Sequence, residues 1–218
     1  MSKPAYFTYQ TADAEKLAAK APRLGVYIRK LGFIRRPVID EPFACLAHIV
    51  TAQLISAAAA ASIWNRLTAR FAPVSAERVA AADLQALTAC GLTVKKAQTI
   101  HTIASACAAG TLSLPALAEL PDEAVIDRLC RFSGIGPWSA RMYLLHALGR
   151  QDIISYQDAA LRKGMRRVYG KERLSVAQFQ KISAAYHPYA SIAAVYLWHI
   201  ATLPPDWEKS AGIQYTGP

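Results

Sequence analysis

Acidic side chains are in short supply. The 218 residues hold 15 Asp and Glu against 25 Lys and Arg, a net charge of +10. A soluble protein with that imbalance attracts polyanions, and nucleic acid comes first among them. Charge alone also leaves open an incidentally basic protein with no nucleic-acid partner. Cysteine is scarce too: Cys45, Cys90, Cys107 and Cys130 lie far apart. No two stand at C-x-x-C spacing and no histidine pair accompanies them, which argues against a zinc site or an iron–sulfur cluster. Isolated buried thiols in helices fit instead, and they suit a reducing cytosol. Charged residues are only 18% of the chain while hydrophobic ones are 53%, which excludes a disordered chain. The N-terminus MSKPAYFTYQ has no apolar stretch behind its lysine, so it does not read as a signal peptide.

Alternation of apolar with polar residues is missing as well, and with it the signal for exposed strands. Helical periodicity takes its place. Ala97, Ile100, Ile103, Ala104 and Cys107 share one face of a helix over 95–109, and Leu84, Leu87 and Leu92 recur just before it. Pro73, Gly91, Gly110, Pro115, Pro121, Gly149 and Gly170 punctuate the chain. The pattern predicts an all-α protein of eight to eleven short helices. From Pro42 to Asn65 there is no charged side chain. Alanine makes up much of that run, and His48, Thr51, Gln53, Ser56 and Ser62 interrupt it. It reads as a buried central helix rather than a membrane span. Its alanine run Ala57–Ala61 favours helix and close helix contact.

The most informative segment is LPDEAVIDRLCRFSGIGPWSARMYLLHALG, residues 120–149. Pro121, Asp122 and Glu123 suit the start of a helix whose stripe is Val125, Ile126 and Leu129. Gly134-Ile135-Gly136 breaks it, and Pro137 opens a second helix running to Gly149. Two glycines in the turn permit unusual backbone angles and keep side chains out of the way, while Ile135 tucks between the helices. Amides at the start of the second helix then converge on a point suited to a phosphate. An ordinary helix–turn–helix corner remains the plainer alternative.

Next comes DIISYQDAALRKGMRRVYG, residues 152–170. Asp158 stands where an apolar stretch meets a new helix, so it reads as a helix N-cap. The same position favours a negative charge, which cleavage of a glycosidic bond requires as positive charge grows on the sugar. The helix beyond carries Arg162, Lys163, Arg166 and Arg167 on one broad face, followed by Lys171 and Arg173. Such a face is either solvated or turned to phosphates; no acid lies between Ala159 and Gly170.

Hairpin, spacer and aspartate together resemble the helix–hairpin–helix DNA glycosylases. Five stretches carry the resemblance in order: IVTAQLISAAAAASIWNRL (49–67), GLTVKKAQTIHTIA (91–104), LCRFSGIGPWSARMYLL (129–145), IISYQDAALRKGMRRVY (153–169) and YHPYASIAAVYLWHI (186–200). Within that superfamily they resemble bacterial 3-methyladenine DNA glycosylase II and its shorter relatives, without the N-terminal α/β lobe of the longer enzyme. The resemblance implies two helical lobes, one over 44–150 with the hairpin and one over 1–43 plus 151–218, with a base-binding cleft. It implies a catalytic role for Asp158 and a wedge, Leu54, preceded by Gln53. Gly134, Ile135 and Gly136 would bind DNA phosphate, aided by Arg162 and Lys163.

The same resemblance places Trp138, Trp198, Gln53, Tyr156 and Met142 around the base. Trp138 stands where lyase relatives carry a lysine, so water rather than a Schiff base would attack, giving a monofunctional enzyme of base excision repair. Aromatic faces would favour cationic alkylated bases of the 3-methyladenine and 7-methylguanine type. The implied partner is damaged double-stranded DNA, met by a monomer in the cytoplasm or on the nucleoid, with no membrane contact. No cofactor or catalytic metal is implied, at most a structural monovalent cation at the hairpin. Tyr186 and Ala190 depart from the tryptophan and arginine of the family's C-terminal segment, which leaves base preference open. A glycosylase for another damaged base, or a non-catalytic hairpin module, are the alternatives.

Overall fold

A computed structural model of the chain describes residues 5–213. Strand β1 (Ala5–Tyr6) is followed by helices α1 (Thr11–Lys20) and α2 (Pro22–Leu31) and by strand β2 (Pro37–Val38). Then come α3 (Pro42–Ala52), α4 (Ala57–Phe71), α5 (Ala76–Ala80), α6 (Leu84–Thr88), α7 (Val94–Ala108), α8 (Asp122–Cys130) and α9 (Pro137–His146). The chain closes with α10 (Ala159–Tyr169), α11 (Val176–Ser183), α12 (Ala190–Thr202) and α13 (Trp207–Ser210). The thirteen helices among the described residues exceed the eight to eleven expected. The two strands form a short antiparallel ribbon, Ala5 opposite Val38 and Tyr6 opposite Pro37. The protein is all-α in every other respect.

The chain divides into two units, one of residues 5–6 with 37–149, the other of 7–36 with 150–213. In the first, α3 packs against α4, α7 and α9. Leu46 and Val50 of α3, Ile100 and Ile103 of α7, Leu129 of α8 and Leu144 and Leu145 of α9 form its core. The charge-free run of 42–65 is two helices and not one, broken at Gln53–Ser56. Among the described residues no helix is long and apolar enough to cross a membrane. Ala57, Ala58, Ala59 and Ala61 are exposed, so the alanine run makes no close helix contact except at Ala60. Of the thiols, Cys45 and Cys90 are buried and Cys107 and Cys130 half-buried, all free. Burial pushes the Cys45 thiol up to about 12 and the Cys107 thiol to about 11. Both are therefore poor nucleophiles.

In the second unit α10 lies against α12, and both touch α2. A Cβ at Gly164 would overlap the backbone carbonyl of Leu197, so the two helices meet backbone to backbone there. Leu161, Met165 and Val168 of α10 are buried along with it. The seam fixes α10, and α10 carries Asp158 at its start.

Candidate active site

The first unit contains the hairpin. Gly134 sits at φ +90°, and a Cβ on it would run into the Thr99 side chain of α7. The Thr99 hydroxyl lies 2.9 Å from the Ser133 carbonyl, so the turn is tied down to α7. Ile135 is buried, as the hairpin geometry requires. Gly136 is different. Its φ of −107° and ψ of 177° are extended backbone that any residue adopts. The expectation that both glycines serve unusual angles is therefore corrected: Gly134 alone does.

At Gly136 nothing lies within 4 Å of where a Cβ would stand. The residue keeps open a space at the start of α9, and no side chain caps that helix. Pro137 takes the first helical position, where a missing N–H costs nothing. An uncapped helix start facing open space is a site for an anion brought from outside.

Between α3 and α4 the chain makes a sharp tip. Leu54 has φ +57° and is 104% exposed. A left-handed backbone costs a non-glycine residue roughly 1–2 kcal/mol. Its neighbours hold it there. The Gln53 side-chain amide donates to the Gly134 carbonyl at 2.9 Å and to Ser139 Oγ at 2.8 Å. Gln53 therefore braces the tip to the hairpin through its side-chain amide. Ser56 caps α4 by accepting from the Ala59 amide at 3.2 Å. Trp138 is half-buried in the first turn of α9. Met142 is 3% exposed in the core of this unit, where it packs and offers little surface to a ligand.

In the second unit Asp158 is the N-cap of α10: Oδ1 accepts from the Leu161 amide at 2.8 Å, and the residue is 7% exposed. The N-cap and the candidate catalytic carboxylate are one group. Two neighbours were not foreseen from sequence. Arg36 is half-buried, with its guanidinium 5.0 Å from the centre of the Trp198 ring. Burial lowers the Arg36 pKa, and the charge of Asp158 works against that shift. Arg36 comes from the far end of the chain in sequence, so no local motif marks it. Ser155, one turn before Asp158, is buried, and its hydroxyl has no hydrogen-bond partner among the described residues. A buried group of that kind ordinarily holds a water.

Arg36 also changes the reading of Trp198. One ring face already carries a cation, so that face is closed to a cationic base. Tyr156 departs further from expectation. Its hydroxyl donates to the Leu174 carbonyl at 3.1 Å, and its ring meets Phe179 edge-on at 5.5 Å. The guanidinium of Arg162 covers the ring at 4.9 Å and donates to the Tyr156 carbonyl. Tyr156 is thus a packing residue that orders Arg162.

The basic face of α10 is split. Arg167 donates to both carboxylate oxygens of Glu208, Nη2 to Oε2 at 2.7 Å, and to the Leu203 carbonyl at 2.5 Å. That arginine is internal, against the expectation of one phosphate-facing surface. Lys163 is exposed. Arg162, Arg166 and Arg173, with Ala159 and Leu174, line a pocket of about 320 Å³ that has no carboxylate in its wall. Tyr186 is fully buried and donates to the Tyr169 hydroxyl at 3.3 Å; Ala190 is buried too, so both departures from the family pattern serve packing. Among the described residues no three His, Cys, Asp or Glu side chains are grouped to hold a metal ion.

Comparison with known proteins bears on this arrangement. The family model of the HhH-GPD superfamily base excision DNA repair proteins matches residues 46–185. DNA-3-methyladenine glycosylase 1 of Schizosaccharomyces pombe is 30% identical over 178 residues, 78% of this chain and 76% of that one. DNA-3-methyladenine glycosylase 2 of Escherichia coli is 28% identical over 188 residues, 79% of this chain and 62% of the relative. Among solved structures, S. pombe 3-methyladenine DNA glycosylase in complex with abasic DNA superimposes with a TM-score of 0.81 at 25% identity. That likeness covers 88% of this chain and 98% of the other. With hairpin, tip and capped aspartate in place, the chain belongs to the HhH-GPD superfamily of base excision DNA repair proteins.

Proposed function

We propose that the protein is a monofunctional DNA glycosylase that hydrolyses the N-glycosidic bond of alkylated bases, of the 3-methyladenine and 7-methylguanine type, in duplex DNA. The observation that carries this reading is Asp158, a carboxylate fixed by the Leu161 amide at the start of α10. The open start of α9 takes a DNA phosphate, with Gly134, Ile135 and Gly136 as its frame and Arg162 and Lys163 as further backbone contacts. Leu54 enters the stack and the damaged base swings out. The bond from C1′ to the base nitrogen breaks, and its electron pair leaves with the base. A base alkylated at a ring nitrogen departs neutral, so it needs no proton from an acid. The Asp158 charge stabilises the cationic sugar, and water adds at C1′ as Asp158 accepts its proton. The products are the free base and an abasic site.

Trp138, at the position where a lyase needs a lysine, supports the monofunctional reading, since indole forms no Schiff base. Trp138 and the remaining surface of Trp198 supply the aromatic contacts to the base. No cofactor enters these steps. A structural monovalent cation at the hairpin fits the donor set: the Phe132 and Gly134 carbonyls each accept one hydrogen bond and keep a second lone pair. It would brace the turn and supply no chemistry. The enzyme acts as a monomer in the cytoplasm or on the nucleoid, a state that light scattering of the purified protein checks.

The test is to incubate the protein with methylated duplex DNA and separate the released bases by chromatography, with Asp158→Asn alongside. Free 3-methyladenine or 7-methylguanine from the native protein alone, with strand breakage only on alkali, is the expected result. Binding without release of any base would replace the reading with a hairpin module lacking chemistry. Strand breakage without alkali would remove the monofunctional part.

A further inference from the structure

Lys96 is a charged side chain to which the steps above give no task. It lies in the first turn of α7, half-buried, and its ammonium donates to the Thr51 carbonyl at 2.8 Å and the Gln53 carbonyl at 2.7 Å. Thr51 stands in the last turn of α3, and Gln53 is its C-cap. The last carbonyls of a helix lack partners within it and carry partial negative charge. No basic residue stands in the last turn of α3 itself. The cation that completes this helix end comes from α7. Burial lowers the Lys96 pKa, as expected for an ammonium turned inward onto carbonyls and not outward to water.

The tip is therefore fastened twice. Lys96 grips the backbone at Thr51 and Gln53, while the Gln53 side chain is fixed to the hairpin through Gly134 and Ser139. Leu54 is the first residue beyond both fastenings. It has a left-handed backbone at φ +57° and an apolar side chain that is 104% exposed. Each of those states is unfavourable by itself, so an unfastened tip would relax toward ordinary backbone angles and a more sheltered leucine. Strain of this kind persists only where the surroundings over-determine it.

We infer that Lys96 is the positioning residue of the wedge: it holds the Gln53–Leu54 tip in the raised conformation that enters the duplex, and it does so without touching a phosphate. This inference rests on Leu54 being the wedge. It makes Lys96 an exception on a basic protein, where a lysine near DNA ordinarily neutralises the backbone.

The experiment uses the full chain and a duplex carrying 2-aminopurine next to an abasic-site analogue, so unstacking is read as fluorescence whatever lesion the enzyme prefers. Native protein is compared with Lys96→Met, Lys96→Arg, Leu54→Ala and the double variant Leu54→Ala/Lys96→Met. Unstacking should slow about tenfold in Lys96→Met, from the loss of two charge-assisted hydrogen bonds. Lys96→Arg keeps charge and donors and should recover most of the rate. The double variant should be no slower than Leu54→Ala, because both changes disable one device.

Salt dependence separates this role from phosphate binding. The slope of log K against log salt should be the same for Lys96→Met as for native protein. A slope reduced by about 0.9 would mark a lost phosphate contact and overturn the inference. Additive slowing in the double variant would overturn it as well, as would native-like unstacking in Lys96→Met. Full unstacking by Leu54→Ala would remove the wedge itself, a result distinct from a failure at Lys96 alone. If Lys96→Met melts early, Lys96→Arg carries the test: a stable Lys96→Arg that unstacks as poorly as Leu54→Ala overturns the inference.

Discussion

Two helices begin in contrasting ways, one in each unit. Helix α9 starts at Gly136, with no side-chain cap and open space where a side chain would stand. Helix α10 starts at Asp158, whose carboxylate satisfies the Leu161 amide at 2.8 Å. Both ends offer the same thing, amides and a positive dipole end that favour negative charge. At α9 the chain withholds its own anion and leaves the position open. At α10 it supplies the anion itself and keeps it buried. On the proposed function, one physical device serves binding in one unit and catalysis in the other, and the difference lies in a single residue at each N-cap.

The largest effect should come from changing the charge at α10 without changing the cap. Asn caps a helix about as well as Asp. Asp158→Asn should therefore melt within a degree or two of native protein and bind damaged duplex normally. Base release should fall at least about a thousandfold, the scale of losing a principal electrostatic contact in the transition state. A variant that unfolds would show that the Asp158 charge, beside Arg36, is needed for the fold and not for the chemistry alone; normal turnover would remove Asp158 from the mechanism.

The two glycines of the hairpin sharpen the comparison further. Gly134→Ala places a Cβ at φ +90° and against Thr99, so it should destabilise the fold by about 2–3 kcal/mol, read as a lower urea midpoint. Gly136→Asp meets neither obstacle, since its backbone is extended and its Cβ position empty. It should leave stability near native while weakening all duplex binding, damaged or not, by about tenfold, because the new carboxylate caps α9 as Asp158 caps α10. If Gly136→Asp binds undamaged duplex as tightly as native protein, α9 is not the phosphate site.

How far the sequence foretold this depends on whether the signal was local. The hairpin was legible because glycine, isoleucine and proline sit side by side between two apolar stripes. Asp158 was legible because it stands between an apolar stretch and a basic helix. The break at Gln53–Ser56 was not, since neither Gly nor Pro marks it; the bonds that Lys96 and the Gln53 side chain make there come from segments distant in sequence. Arg36 was hidden for the same reason. Tyr156 and Met142 misled because an aromatic or a methionine looks the same in sequence whether it lines a pocket or packs a core. Arg167 misled because its partner, Glu208, lies in another helix, and a basic run gives no sign that one member turns inward.

That partner permits the smallest and last test, at the other end of α10. The Arg167 guanidinium, helped by the Tyr27 hydroxyl at 3.0 Å, holds the Glu208 carboxyl below its ordinary value of 4.5. A carboxyl depressed in the folded state stabilises it fully above the unfolded value, and the contribution disappears as pH falls through the folded value. The melting temperature of native protein should therefore drop more steeply than that of Glu208→Gln below about pH 4.5, and the two should converge. At pH 7 the variant should melt lower, because Arg167 keeps its charge without the carboxylate. Duplex affinity and its salt slope should not move. Parallel acid limbs would mean that Glu208 titrates alike folded and unfolded. A changed salt slope would return Arg167 to the DNA-facing surface, beside Arg162, Lys163 and Arg166 on the same helix.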